Sequence, residues 1–215
     1  MNFRIAVRQI VFSSILLIST SFTLAAQTQG IFSIVTCPAE NTSISMNISW
    51  GADTTITECT IEYTLARDTH WKQSRTMEGT SHLCTVFDNV YSKNADGADF
   101  YEDAVFLKYE AALKELKPRR EYKYRIVSER CTSDTYRFRT SGRSRWSACI
   151  ISDYHVYPPL RDRLDNAMAM MDRVYEYDPG FDWVLHLGDI TAWGGSYSFW
   201  QEMYKEKYFK NYMWA

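Results

Sequence analysis

Two stretches near the C-terminal end decide the fold of the second half: residues 146–155 read Trp-Ser-Ala-Cys-Ile-Ile-Ser-Asp-Tyr-His, and residues 183–195 read Trp-Val-Leu-His-Leu-Gly-Asp-Ile-Thr-Ala-Trp-Gly-Gly. Each is an apolar run of strand length followed by a carboxylate, Asp153 in the first and Asp189 in the second. His155 lies two residues after Asp153, so that both side chains can bind the same metal ion. This pattern predicts a metal site at one edge of a sheet.

The segments around these stretches alternate between strand and helix. Strands are predicted at 146–152 and 182–187, and helices at about 161–177 and 196–212. One face of the first helix carries apolar residues at helical spacing, namely Leu164, Ala167, Met168, Met171, Val174 and Tyr175. Alternating strands and helices predict a parallel sheet, whose functional residues gather at the carboxyl ends of the strands. The two carboxylates follow those ends.

Residues 31–140 have the pattern of an all-β module. Strands are predicted at 43–50, 59–65, 122–127 and 135–139, because apolar and polar residues alternate there between turn signals. Several short strands at this spacing favour a β-sandwich. The predicted fold class is therefore a β-sandwich, followed by a βαβα unit from residue 146 to residue 215.

The N-terminal residues have the features of a secretory signal peptide. Arg4 and Arg8 precede an apolar run over 10–24, and Ala25 and Ala26 offer small residues for cleavage. An uncleaved membrane anchor is the alternative, although a spanning helix needs about 20 apolar residues. We therefore expect residues 1–26 to be removed and the protein to be secreted or periplasmic, without a membrane association of its own.

Charge and composition narrow the classes of partner. Without the signal peptide the chain has 22 Lys and Arg against 26 Asp and Glu, a formal charge of −4. A mildly acidic chain gives no reason to expect nucleic acid or an anionic membrane as a partner. The sequence leaves the oligomeric state open.

Five cysteines lie in the exported part of the chain. Cys149 lies inside a predicted strand and is expected to be a buried free thiol. In an oxidising compartment the other four can form two disulfides with three possible connectivities; they are Cys37, Cys59, Cys84 and Cys131. None has the spacing of a zinc site.

The donor types at the predicted site limit the choice of metal. Carboxylate oxygens combined with an imidazole suit iron, manganese or zinc better than calcium. Two such ions about 3.5–4 Å apart can hold a phosphate group and activate a bridging water. The alternative is that Asp153 or Asp189 only caps a helix. Two such motifs at successive strand ends favour the metal interpretation.

The two stretches also resemble the opening of a calcineurin-like metallophosphoesterase domain, in which a first Asp-x-His motif is followed by a helix and a Gly-Asp motif. The resemblance implies that Asp153 and His155 bind one metal ion and that Asp189 bridges two divalent or trivalent ions. It also implies a phosphate-ester substrate.

The preceding module resembles the N-terminal domain of purple acid phosphatases, which has a fibronectin type III-like fold. The resemblance rests on the corner Leu116-Lys-Pro118-x-x-x-Tyr122 and on the exit Phe138-Arg-Thr140. In such corners a tyrosine hydroxyl binds backbone near the turn. The resemblance to the purple acid phosphatase domain therefore implies structural roles for the residues of the corner and the exit, and no catalytic roles.

Two positions differ from the purple acid phosphatase pattern. Members of that family carry Gly at the position of His155, and they carry a metal-binding Tyr where this sequence has Ala192. His155 would supply the ligand that the Tyr otherwise provides. We therefore expect a colourless metal centre.

The later motifs of the metallophosphoesterase family, Gly-Asn-His-Asp/Glu, a lone His and Gly-His-x-His, do not occur in the sequence. Without them the site lacks further metal ligands and the acid that protonates the leaving group. We therefore expect an incomplete N-terminal portion of an exported phosphoesterase that is inactive alone. The alternative is a secreted, non-catalytic binding module with a vestigial metal site.

Overall fold

The computed structural model describes residues 30–93, 99–211 and 213–214. In chain order the elements are β1 (Ile31–Cys37), β2 (Met46–Ala52), β3 (Cys59–Leu65), β4 (Arg75–Glu78), β5 (Thr80–Lys93), β6 (Asp99–Leu113), β7 (Glu121–Ser128), β8 (Tyr136–Arg139), β9 (Ala148–Ile151), α1 (Asp162–Tyr177), β10 (Trp183–His186), α2 (Tyr197–Tyr204), α3 (Lys207–Asn211) and β11 (Met213–Trp214). The predicted signal peptide lies outside these residues. None of the helices described has the length and apolar character needed to cross a membrane.

The first eight strands form two facing sheets of mostly antiparallel strands. One sheet contains β5, β6, β2 and β1 in that order, and the other contains β4, β3, β7 and β8. Alternation places Ile48 and Trp50 of β2 in the core between the sheets, opposite Ile61 and Tyr63 of β3, and all four are at most 1% exposed. The prediction of a β-sandwich-like module is thus confirmed.

The predicted corner before β7 is formed by hydrogen bonds. The backbone N–H of Lys117 donates to the hydroxyl oxygen of Tyr122 at 2.8 Å. The hydroxyl of Thr140 donates to the carbonyl oxygen of Lys117 at 2.7 Å and accepts from the N–H of Arg120 at 3.0 Å. The corner and the exit segment after β8 therefore hold each other in place.

The C-terminal strands extend the first sheet of the sandwich. β1 pairs in parallel with β11, which pairs with β10, which pairs with β9, so that one sheet has seven strands. Helix α1 connects β9 to β10 and buries Leu164, Ala167 and Met171. Tyr175, which was expected on that apolar face, is 42% exposed. The sandwich and the C-terminal elements thus share a continuous backbone ladder.

The prediction of one helix over 196–212 was wrong, because α2 and α3 are separate helices followed by a strand. Phe199 and Met203 form the buried face of α2. A straight continuation would place Glu206 and Lys210 on that face. The break at residues 205–206 instead allows α3 to bury Tyr208 and Phe209.

The two predicted disulfides are not formed, because all five cysteines are free thiols. In the seven-stranded sheet, Cys37 is in register with Asn47, and Asn47 with Ala112. Cys84 is in register with Phe106, six residues from Ala112 on β6. Six residues of strand span roughly 20 Å. Cys37 and Cys84 are therefore too far apart to bond. Cys149 is free, as expected, but only partly buried.

Candidate metal centre

Two loops at the carboxyl ends of β9 and β10 are joined by backbone hydrogen bonds. The N–H of Asp153 donates to the carbonyl oxygen of Gly188 at 3.2 Å, and the N–H of His155 donates to that of Asp189 at 2.9 Å. A parallel bridge between residues 156 and 191 continues the ladder. The loops therefore run side by side beyond the strands, which fixes the residues they carry relative to each other.

The backbone of these loops adopts left-handed conformations. The angle φ is +63° at Asp153, +45° at His155 and +54° at Asp189. Residues with a Cβ rarely adopt this region, and each such residue costs about 1–2 kcal/mol. Such conformations are concentrated at functional sites, where neighbouring contacts hold them. The ladder between the loops provides those contacts.

The three side chains converge on the solvent side of the sheet edge. One ligand atom from each of Asp153, His155 and Asp189 lies within 4.8 Å of the other two. The His155 Nε2 atom is 3.5 Å from Asp153 Oδ1 and 3.8 Å from Asp189 Oδ2. The side chains are between 44% and 68% exposed, which leaves the cluster open to a ligand. We call these three residues the Asp-His-Asp cluster.

The chemistry of the cluster fits a metal ion. Two carboxylates that face one imidazole offer hard oxygen donors and a nitrogen donor to the same point, the donor set expected for iron, manganese or zinc. The hydroxyl of Ser152 donates to Asp153 Oδ2, which leaves the other carboxylate oxygen on the side of His155. Sequence reasoning did not single out Ser152, although its place next to an acidic ligand is a usable signal.

Two aromatic rings lie beneath the cluster. Tyr154 is 6% exposed and points away from the metal side, and burial raises the pKa of its hydroxyl far above 10. His186 contacts the Tyr154 ring edge-on at 4.7 Å. Burial lowers the pKa of His186, whereas the negative charges of Asp153 and Asp189 act in the opposite direction. His186 thus packs against a buried ring, and its Nδ1 atom also accepts the N–H of Gly188 at 3.3 Å, a contact that the sequence pattern did not indicate.

A cleft of about 750 Å³ lies elsewhere, between β8 and helices α1 and α3. Several of its charges are paired within the protein, with Arg137 3.4 Å from Glu121 and Lys207 2.8 Å from Asp172. These pairs join neighbouring elements of the fold. The cleft therefore has weaker support as a functional site than the exposed cluster at the strand ends.

Comparison with known families identifies the first module. A family model described as Purple acid Phosphatase, N-terminal domain matches residues 32–140, just over half of the chain. The chain belongs to this family. The matched range covers β1 to β8 and ends before Asp153, so it bears on the sandwich and not on the Asp-His-Asp cluster. No curated protein matches the sequence.

One solved structure shares the fold of most of the chain. Purple acid phosphatase PPD1 from yellow lupin (Lupinus luteus) seeds has a TM-score of 0.63 at 17% identity, over 86% of this chain and 34% of that chain. The chain thus spans about a third of the length of the lupin protein. PhoD gives a TM-score of 0.40 at 15% identity, over 75% of this chain and 28% of that chain.

The sensor domain of the anti-sigma factor RsgI4 from Pseudobacteroides cellulosolvens gives a TM-score of 0.29 at 19% identity, over 51% of this chain and 93% of that domain. TM-scores as low as those of PhoD and this sensor domain carry no weight for fold or function.

Proposed function

We propose that this chain is the N-terminal portion of an exported, metal-dependent phosphoesterase, and that Asp153, His155 and Asp189 are metal ligands. The observation that carries the proposal is the convergence of three donor atoms within 4.8 Å at the carboxyl ends of two parallel strands. Membership of a purple acid phosphatase domain family supports a phosphoesterase as the complete protein.

Residues 1–26 are a signal peptide, residues 31–140 a fibronectin type III-like sandwich, and residues 146–215 the first part of a metallophosphoesterase domain. The hydrogen bond between Lys117 and Tyr122 supports the second assignment. Because the later family motifs are missing from this sequence, we expect this chain alone to have no turnover.

The residues present suggest a division of roles at the site. Asp153 and His155 would hold one ion of iron, manganese or zinc, and Asp189 would bridge to a second. Such ions supply a Lewis acid and an activated water for hydrolysis of a phosphate ester. The left-handed loops hold the carboxylates toward solvent, where a phosphate group has access.

Titration of the metal-free protein with Mn²⁺, followed by calorimetry, tests the ligand assignment. Asp153→Asn and Asp189→Asn should each weaken binding by about tenfold or more, since even outer-shell substitutions cost about 10–100-fold. The matched control is Asp134→Asn, an exposed aspartate of the sandwich, which should bind as the wild type does. Equal affinity in all four proteins would contradict the assignment.

The alternative is a secreted binding module with a vestigial metal site. It is favoured by one observation: among the described residues, no other His, Cys, Asp or Glu joins the cluster. Phosphorus NMR of inorganic phosphate separates the two functions. A phosphoesterase site predicts that the Mn²⁺-loaded wild type broadens the phosphate resonance and that Asp189→Asn does not. Absence of broadening at a metal-saturated site would favour the binding module.

Export has its own test. Expression of the full sequence in a secreting host should yield a mature protein that begins after Ala26, as determined by N-terminal sequencing. A membrane-bound protein that retains residues 1–26 would indicate an uncleaved anchor instead.

A further inference from the structure

His186 is the last residue of β10, three positions before the proposed ligand Asp189. Its Nδ1 atom accepts the backbone N–H of Gly188 at 3.3 Å. An acceptor at Nδ1 requires a lone pair there, which assigns the ring hydrogen of a neutral imidazole to Nε2. The Nε2 atom is buried and has no hydrogen-bond partner among the described residues. The Nε2 side of the ring is thus enclosed by the protein.

The peptide groups of Gly188 connect the two loops of the site. Its N–H is held by His186, and its carbonyl oxygen accepts the N–H of Asp153 at 3.2 Å. Gly188 has φ of +127°, a conformation that glycine adopts readily and other residues rarely adopt. Its orientation therefore affects both Asp189, which follows it directly, and Asp153 on the other loop.

The ring of His186 also contacts the first loop directly. It meets the ring of Tyr154 edge-on at 4.7 Å, and Tyr154 lies between Asp153 and His155 in sequence. The ring also stacks with Trp214 at 6.4 Å and 27°, and Trp214 meets the ring of Tyr154 edge-on at 6.4 Å. The His186 side chain thus contacts Gly188, which precedes the proposed ligand Asp189. It also contacts Tyr154, which lies between the other two proposed ligands.

We propose that His186 is a positioning residue for the Asp-His-Asp cluster, which it orients through the hydrogen bond to Gly188 and the contact with Tyr154. The inference rests on the proposed function. Outer-shell partners of metal ligands commonly change metal affinity by about 10–100-fold. His186 would act one step further out, through backbone, without binding the metal.

Two substitutions separate the hydrogen bond from the packing. His186→Phe keeps an aromatic ring and removes the acceptor, whereas His186→Asn places an amide oxygen close to the position of Nδ1. Two readouts are measured: the hydrogen-exchange rate of the Gly188 amide by NMR, and the dissociation constant for Mn²⁺. Thermal melts followed by circular dichroism check that both variants fold.

His186→Phe should speed exchange of the Gly188 amide by about fivefold, as expected for loss of a hydrogen bond worth about 1 kcal/mol. It should weaken Mn²⁺ binding by about tenfold, the lower end of the range for groups that contact a metal ligand directly. His186→Asn should stay within about threefold of the wild type in both readouts.

If the Gly188 amide exchanges in His186→Phe at the same rate as in the wild type, the inference is overturned, whether or not the protein binds metal. Equal losses in both folded variants would overturn it too, because the acceptor would not be the cause. A wild-type protein that binds no Mn²⁺ but loses Gly188 protection in His186→Phe would instead refute the proposed metal function.

Discussion

Gly188 is the residue at which backbone conformation most directly limits the sequence. Its φ is +127°, and a Cβ added there would meet no atom within 4 Å. A side chain at this position is therefore disfavoured by the backbone and not by lack of space. Gly194 also has open space around it, and its φ lies outside the left-handed range.

Substitution of these two glycines by alanine should consequently have different effects. Gly188→Ala should lower the free energy of unfolding by about 1–3 kcal/mol, the usual cost of a strained backbone. Gly194→Ala should change it by less than about 1 kcal/mol, and in the stabilising direction, because alanine restricts the unfolded chain. Urea unfolding curves of both variants provide the comparison. Equal destabilisation would mean that the conformation of Gly188 is not the limiting factor.

A second expectation at the residue scale concerns Ala192 and the colour of iron-loaded protein. Its N–H donates to Val156 in the ladder between the loops, and its side chain offers no ligand. Tyr154, the tyrosine next to two cluster residues, is buried and its pKa is raised by burial. Iron-loaded protein should therefore lack a visible tyrosinate–iron band, and its absorption spectrum should match that of Tyr154→Phe. A visible band that disappears in Tyr154→Phe would show the expectation to be wrong.

At the scale of elements, the loop between β3 and β4 is organised by one carboxylate. Asp68 accepts the backbone N–H of Gln73 at 2.7 Å and that of Lys72 at 3.1 Å, and it accepts the hydroxyl of Thr64 at 3.1 Å. The hydrogen bond from Gln73 is the main reason that the pKa of Asp68 lies below its usual value of 3.8. Because the folded pKa is depressed, Asp68 contributes stability above the unfolded value, and this contribution is lost as the pH falls through the folded pKa.

Asp68→Asn should therefore lower the urea midpoint at pH 7, and the difference from the wild type should shrink as the pH falls below about 3.8. Thermal or urea unfolding at several pH values measures this convergence. A difference that remains constant down to the most acidic condition at which both proteins fold would contradict the role of the ionised carboxylate.

The spacing of apolar residues in the sequence predicted some strands and helices well. β3 spans Cys59–Leu65, as expected, and α1 spans Asp162–Tyr177, within one residue of its predicted range. The long strands β5 and β6 were not singled out, because their fold depends on pairing with each other and with β2. The split between α2 and α3 depends on burial of Tyr208 and Phe209. Tertiary packing decides the extent of these strands and the break between the helices, and the local sequence pattern does not predict such packing.

At the scale of the whole molecule, one side of the seven-stranded sheet is only partly covered. Trp183 of β10 packs against the sandwich core. Apolar residues on β9 or directly beside β9 and β10 are largely exposed: Trp146 60%, Ile150 62% and Leu187 65%. Exposed apolar patches of this kind promote association.

Replacement of Ile150 by Thr should reduce both the binding of an apolar fluorescent dye and light scattering at high protein concentration, because it shortens this patch while keeping a residue suited to a strand. Leu83→Thr provides the control. Leu83 on β5 is also 62% exposed but lies at the opposite edge of the sheet. Equal reductions in both variants would attribute the effect to general hydrophobicity and not to the patch.

The candidate site was predictable as a set of residue types at strand ends, since the period of strands and helices places Asp153 and Asp189 at the same edge. Its backbone was not predictable. Left-handed conformations at three residues with side chains contradict local preference and exist because the two loops are hydrogen-bonded to each other. The contact of His186 with Gly188 depends on that same arrangement.

The pairing of β1 with β11 also constrains the order in which the protein folds. Thr36 is in register with Met213, so the two partners lie near opposite ends of the described chain. During synthesis, the strands of the sandwich leave the ribosome long before residue 213 exists. Contacts between residues so distant in sequence form slowly, because closing a long loop costs entropy. We expect the sandwich to assemble first. The backbone groups of β1 that pair with β11 then remain unpaired until residue 213 has been synthesised.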